Sequence, residues 1–333
     1  MTGPVHTPLR PVPEGVASPD GGWIYVPFAE GGVAAVAVAS GETRWQRTDA
    51  LLALLAEDDR VLVLQAAEGA RLRPCWLSAA DGTPLQPPAP LLPHLAGAPG
   101  DWAVTETAWQ ADRLLLAWQA PRGPGATSAR GVLALRPAQL KRVAEDVDER
   151  MWPAPPPWPG GPDDQPFSDG GAPLPPWSVH GEVVALSPAP SEGGARALRL
   201  LRLGAGPAAE RSAAVLVSRL PPPGYLLALA SPDPGLVTLL HTRHPAEGGP
   251  EADIQTHWRL YAAPEGTPLA TIAAEDGLVP PFCRTGEVLL ARRAGELAHK
   301  RARPRRHLCA WHVGDAHLLW QRPLPERSPQ RVG

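Results

Sequence analysis

A two-part unit recurs along the whole chain, and it limits what the chain can fold into more than any other feature. Each copy is an apolar run, a polar or Gly-containing turn, and a second apolar run. The six copies are GVASPDGGWIYVPF from Gly15, LLALLAEDDRVLVLQ from Leu51, WAVTETAWQADRLLLAWQ from Trp102, WSVHGEVVALS from Trp177, YLLALASPDPGLVTLLHT from Tyr225 and LVPPFCRTGEVLLARR from Leu278. A second hairpin follows each copy, starting at Val33, Cys75, Gly131, Ala197, Trp258 and Leu308. Small or acidic residues with Gly between apolar runs are hairpin turn chemistry. Two hairpins make four strands, and a recurrence of roughly 40–70 residues fits propeller blades with variable loops.

The repeat predicts an all-β chain: a single β-propeller domain over residues 1–333, with about six four-stranded blades. A seventh, degenerate blade would have to lie in 152–176, which carries no strand pattern. Two segments break the repeat. In Pro137–Met151, Leu140, Val143, Val147 and Met151 stand at helical spacing and Pro137 suits a first turn, so one short helix is expected. Its beginning serves equally well as the fourth strand of blade three. Residues 144–176 form an insertion between blades three and four, and WPAPPPWPGGPDDQPFSDGGAPLPP (Trp152–Pro176) reads as a Pro-rich loop of polyproline character.

Composition supports many short strands. With 44 Pro and 33 Gly disorder is a concern, but 44% apolar residues can offset the ordering entropy. The chain has no Asn and only Lys141 and Lys300 as lysines, which reads as the codon bias of a GC-rich bacterial genome. The net charge of −3 gives no global pull towards nucleic acid or anionic membrane. Cys75, Cys283 and Cys309 include no C-x-x-C and are expected as reduced thiols. The N-terminal stretch MTGPVHTPLRPVPEG lacks a secretory pattern, and no apolar run reaches the length of a membrane span. A cytoplasmic protein is the expectation.

Three fragments, ASGETRW (Ala39–Trp45), SAADGTPL (Ser78–Leu85) and WHVGDAHLLW (Trp311–Trp320), share one phrase. They resemble the turn between the third and fourth strands of quinoprotein-like (PQQ-like, WD40-like) propeller repeats, whose "A-x-D-x-x-T-G-x-x-x-W" ends in a Trp packed between neighbouring blades. Ser40 stands where that family has Thr, Val38 replaces its Asp, and only the first and last copies end in Trp. The resemblance implies the blade architecture. It does not carry over the family's dehydrogenase site, which uses an Asn that this chain lacks. The 12 Trp against 3 Tyr and 3 Phe suit packing between stacked sheets.

Searches for chemistry are less productive. GAGPAA (Gly204–Ala209) formally matches G-x-G-x-x-A, but Pro207 and the missing βαβ context favour a hairpin turn. His241 and His244, with His257 further on, stand at a spacing that puts strand side chains on opposite faces. The spacing of five in His307, His312 and His317 has the same defect. No metal site and no cofactor is therefore expected. Asp58–Asp59 and Asp163–Asp164 are adjacent acids in turn-like text, and no G-x-S-x-G, H-E-x-x-H or P-loop occurs. No catalytic residue is assigned.

What remains is a binding face. The long insertions join second to third strands or link successive blades, so one end of the strands is elaborated and the other plain. The reading is a non-catalytic scaffold for protein–protein interaction. Its interaction residues are Trp152, Trp158 and Phe167 in the Pro-rich tract and Arg292, Arg293, Lys300, Arg301, Arg303, Arg305 and Arg306 in the basic run 292–307. The alternatives are an enzyme or small-ligand binder using the central channel, and phosphate or nucleic-acid binding through that run.

Overall fold

The computed structural model describes residues 9–67, 71–86, 103–110, 112–120, 129–147, 176–179, 182–189, 194–203, 212–221, 224–229, 231, 233–243, 254–274, 278–294 and 306–325. Among them the chain is almost wholly β, as successive antiparallel sheets. The first sheet holds β1 (Pro11–Val12), β2 (Gly15–Ala17), β3 (Trp23–Pro27), β4 (Val33–Ala37) and β5 (Thr43–Arg47). The second holds β6 (Ala50–Ala56), β7 (Arg60–Ala67) and β8 (Arg71–Ser78), extended by a single bridge from Leu77 to Pro84. The third holds β9 (Ala103–Gln110), β10 (Arg113–Ala120), β11 (Ala129–Arg136) and β12 (Lys141–Val147). The fourth holds β13 (Trp177–Val179), β14 (Glu182–Pro188), β15 (Arg196–Leu203) and β16 (Ser212–Leu220). The fifth holds β17 (Gly224–Leu229), β18 (Leu236–Arg243), β19 (Gln255–Ala262) and β20 (Pro268–Ala273). The sixth holds β21 (Leu278–Thr285), β22 (Val288–Ala294), β23 (Arg306–His312) and β24 (Leu318–Pro323). Each sheet is a meander in which strands adjacent in sequence are adjacent in space, so each two-hairpin unit of the sequence falls within one sheet.

The expected helix at 137–151 is a correction. Pro137–Gln139 makes one 3-10 turn, and Leu140 (φ 49°) ends it in the left-handed region. The chain then pairs antiparallel with β11, Arg136 opposite Lys141 and Val132 opposite Val147. A single turn gains too few hydrogen bonds to repay its ordering, whereas a ready sheet edge offers a full ladder. The rest of the insertion lies outside the described residues, as does Gly204–Ala209.

The chain divides into two compact units, one of residues 1–153, 290–311 and 318–333 and one of 154–289 and 312–317. In the first, one core gathers Leu52, Leu54, Leu62, Leu64 and Trp76 from the second sheet with Leu114, Leu116, Leu133 and Leu135 from the third. Another gathers Tyr25, Val33 and Trp45 from the first sheet with Val61, Val63 and Leu77 from the second. In the second unit, Val184, Leu186, Leu198, Leu200 and Val217 pack with Leu226, Val237, Leu239 and Tyr261. Strands covered on both faces read as continuous apolar runs, which is why β6 (ALLALLA) and β4 (VAAVA) hardly alternate.

One turn recurs between third and fourth strands. Gly41, Gly82, Gly266 and Ala316 occupy it with φ of 72°, 73°, 72° and 53°. Their amides donate to the carbonyls of Ala37, Ser78, Ala262 and His312. The residue three before each donates its amide to an earlier hairpin of the same sheet, as Val38 to Gly22, Ala79 to Asp59, Ala263 to Gly235 and Val313 to Glu287. Three of these turns receive a side chain from the sheet before. A Cβ on Gly82 would meet the Trp45 ring at 2.8 Å, one on Gly41 the Trp320 ring at 2.7 Å, and one on Gly266 Val215 at 2.7 Å. The indoles add hydrogen bonds: Trp45 Nε1 donates to Ala79 O at 3.0 Å and Trp320 Nε1 to Val38 O at 2.7 Å. The Trp that the repeat phrase assigns to inter-blade packing does pack against the adjoining sheet at both places.

Candidate functional site

The sequence-named residues divide between described and undescribed segments. Trp152, Trp158, Phe167, Lys300, Arg301, Arg303 and Arg305 lie outside the described residues. Arg292 and Arg293 end β22, and Arg306 opens β23, so these three flank the connection 295–305. Arg292 and Arg306 converge on Glu14, each placing Nη1 at 3.4 Å from Oε1. Arg306 also donates from Nη2 to Pro325 O at 3.2 Å. Glu14 sits in the β1–β2 turn at φ 70°, and its side chain is 1% exposed. Its second oxygen, Oε2, is buried without a hydrogen-bond partner. Much of the charge of these two arginines is thus spent on holding a buried carboxylate. Sequence reasoning missed Glu14, because an acid in V-P-E-G reads as a solvated turn and its partners lie 278 and 292 residues away.

A second cluster lies in the other unit. Ser218 on β16 and His241 on β18 share a hydrogen bond between Oγ and Nε2. They are 4% and 2% exposed, and His241 Nδ1 is buried with no partner. His257 is the cross-strand neighbour of His241. Burial pushes the His241 pKa down to about 4, with the charges of Arg259 and His257 adding to the effect. The imidazole is therefore neutral. With Nε2–H donating to Ser218, Nδ1 is left as a lone pair, which costs less than an unmet N–H. A serine activated by histidine needs the reverse polarity, an orienting acceptor on Nδ1 and access to substrate. The pair is a polar pin between two sheets.

The third cluster is on the β23–β24 turn. His312 N donates to His317 O at 2.9 Å, so the two histidines face each other across the turn. Asp315 Oδ1 accepts from His312 Nδ1 at 2.8 Å and from His317 Nδ1 at 2.5 Å. The rings stand 5.4 Å apart, and the bonds from His317 and His312 hold the Asp315 carboxyl down at about pKa 2. This corrects the expectation that a spacing of five separates these side chains. That rule applies along one strand, whereas residues 312 and 317 end two paired strands. His307, on β23, is not part of the group. His244 lies outside the described residues.

Cys75, Cys283 and Cys309 form no disulfide and are buried. Burial raises the pKa of Cys75 and pushes that of Cys309 up to about 11, which leaves them poor nucleophiles. Among the described residues no helix is long and apolar enough to cross a membrane.

No protein-family model matches the chain, and no curated protein matches it. Similar solved structures include the AtxE2 isopeptidase without ligand, at 12% identity and TM-score 0.42, covering 96% of this chain and 52% of that one. The WD40 domain of SCAP from fission yeast is similar at 9% identity and TM-score 0.29, covering 96% and 88%. Dipeptidyl peptidase 4 from Porphyromonas gingivalis is similar at 11% identity and TM-score 0.29, covering 97% and 56%. The chain spans about half the length of the isopeptidase it matches. Likenesses this remote carry no argument about what the chain does.

Proposed function

We propose that the sheets are the blades of one β-propeller, and that it acts as a non-catalytic scaffold for protein–protein interaction through one end of its strands. The single observation behind this is where the long connections fall. Residues 121–128, 189–195, 244–254 and 295–305 all join the second to the third strand of their sheets. First-to-second connections are tight by comparison, as at Gln110–Arg113, Val179–Glu182 and Thr285–Val288. A meander sends its second-to-third connections out at one end, so the third, fifth and sixth sheets carry their longest internal connection at that end, while the fourth also has a long connection, 204–211, at the other. Six repeated units and the stepwise docking of a side chain on the next sheet's turn support the propeller reading. The partner is an acidic protein surface, which the charges of Lys300, Arg301, Arg303 and Arg305 suit, and the Trp152–Pro176 tract is the other segment proposed to contribute. Three buried cysteines that form no disulfide suit a reducing cytoplasm.

The test uses three forms of the full chain: wild type, a deletion of 153–175, and the triple charge reversal Arg301→Glu, Arg303→Glu, Arg305→Glu. Each is immobilised and exposed to extract from its own cells at low and moderate salt. The expected outcome is a protein retained by the wild type and lost from both variants, with unchanged melting temperatures. An identical set of bound proteins on all three forms sinks the proposal. Retention of nucleic acid in place of protein replaces it with the phosphate-binding reading.

A further inference from the structure

We propose that His312, Asp315 and His317 form a binding site for a borderline divalent transition metal, Zn²⁺, Ni²⁺ or Cu²⁺, at the opposite end of the sixth sheet from the connection 295–305. The donor atoms are His312 Nδ1, His317 Nδ1 and Asp315 Oδ1, which all lie within 4.8 Å of one another. A metal bonded at about 2.0–2.2 Å to each donor needs them on one small polyhedron, with edges of about 3 Å. The two N···O separations, 2.8 and 2.5 Å, are close to such edges. Two imidazoles and one carboxylate select borderline ions over Mg²⁺ or Ca²⁺, which take oxygen.

The chain supplies its own control. The same turn occurs in the first, second and fifth sheets, where the residues matching 312 and 317 are Ala37 and Glu42, Ser78 and Thr83, and Ala262 and Thr267. Each of these turns closes with the same backbone bonds. In the second, Asp81 Oδ1 stands in the place of Asp315 Oδ1 and is satisfied by the Thr83 amide and hydroxyl at 3.0 and 2.8 Å. The turn therefore folds without histidine at either position. Imidazoles at both flanks, aimed at one carboxylate oxygen, go beyond what the hairpin requires.

The backbone bonds His312 N to His317 O, Ala316 N to His312 O and Val313 N to Glu287 O pre-set the three donors. Side-chain exposures of 36%, 62% and 55% leave the remaining coordination positions open to water or to a ligand from another molecule. Both Nδ1 atoms bond Asp315 through protons in the metal-free state, so metal entry displaces them.

Zn²⁺ is titrated calorimetrically into chelator-treated, dialysed full-length protein, and Cu²⁺ is followed by electron paramagnetic resonance. One saturating equivalent is expected, with nitrogen hyperfine structure from imidazole. His317→Thr, which installs the residue of the second and fifth sheets, and Asp315→Asn should each weaken binding at least tenfold. His307→Ala should leave it unchanged. Because the turn's backbone bonds do not use these side chains, all three variants should keep the wild-type circular dichroism and melting temperature. If a variant melts early, the wild-type copper spectrum and its stoichiometry still decide. The proposal falls if wild type binds no saturating equivalent, if the copper spectrum lacks imidazole nitrogen, or if both folded site variants bind as wild type does.

Discussion

At the scale of the residue, the turn between third and fourth strands shows how a missing methyl group admits a large neighbour. Gly82 combines φ of 73° with the Trp45 ring lying where a Cβ would be, at 2.8 Å. Gly82→Ala meets both the left-handed penalty and a clash with a ring that is itself buried and hydrogen-bonded. A loss of about 1–3 kcal/mol is expected, read as a lower urea midpoint with unchanged slope. Ala316 occupies the same conformation with a methyl group, at φ 53°. The strand position that would present a docking side chain to its turn, four residues past Gly266, is Ala270. Ala316→Gly should therefore stabilise, by at most about 1 kcal/mol, because it removes strain and no packing. A stabilising Gly82→Ala would contradict this account.

At the scale of the element, polar contacts set in apolar surroundings help to join the sheets. Trp76 donates to Pro137 O at 2.8 Å, Trp258 to Leu278 O at 3.1 Å, and Ser218 meets His241. The last joint titrates. The His241 pKa is about 4 in the folded chain against 6.5 ordinarily, so the unfolded chain takes up the proton first as pH falls. The stability tied to neutral His241 is complete above about pH 6.5 and is lost as pH drops to about 4, a change of about 3 kcal/mol. The carboxyls of Asp20, Asp49 and Asp315 are held below 3.8, so their own loss comes at lower pH. Urea midpoints across this interval should fall steeply for wild type and be flatter for His241→Gln. Parallel curves would remove His241 as the cause.

The hairpins were legible because each strand carries its own apolar run and each turn its own small or acidic residues. The segment at 137–147 reads both ways, as a short helix or as the fourth strand of its unit, because Leu140, Val143 and Val147 satisfy helical spacing as well as a strand does; the strand forms, and the pairing edge of β11 that decides it is not written locally. The histidine pair was within reach: H-V-G-D-A-H lies in the same frame as S-A-A-D-G-T and A-A-P-E-G-T, so aligning the repeats puts His312 and His317 at the two ends of one turn. Glu14 with Arg292 and Arg306, and Ser218 with His241, leave no local mark. Their pairing follows from which strands become neighbours.

At the scale of the whole molecule, Arg292, Arg306 and β24 of the sixth sheet share an interface with the first sheet within one compact unit. Trp320 is 9% exposed and lies on Gly41, and Arg322 Nη1 donates to Gly41 O at 2.8 Å. Arg292 and Arg306 reach Glu14 from the same sheet. Trp320→Ala should cost about 3–5 kcal/mol. Its signature in hydrogen exchange is faster exchange in residues 33–47 as well as in 306–325. Exchange that rises only in 306–325 would mean the two sheets do not stabilise one another.

That interface also sets an order in time. A ribosome releases Val38 282 residues before Trp320, so through that interval the first sheet waits with its docking turn bare. At about 5–20 residues per second the wait is on the order of tens of seconds. Throughout it, the Val38 carbonyl and Gly41, in the turn that follows the apolar strand VAAVA, lack the indole that covers them. The arrival of the strand that carries Trp320 is thus what ends that turn's exposure in the nascent chain.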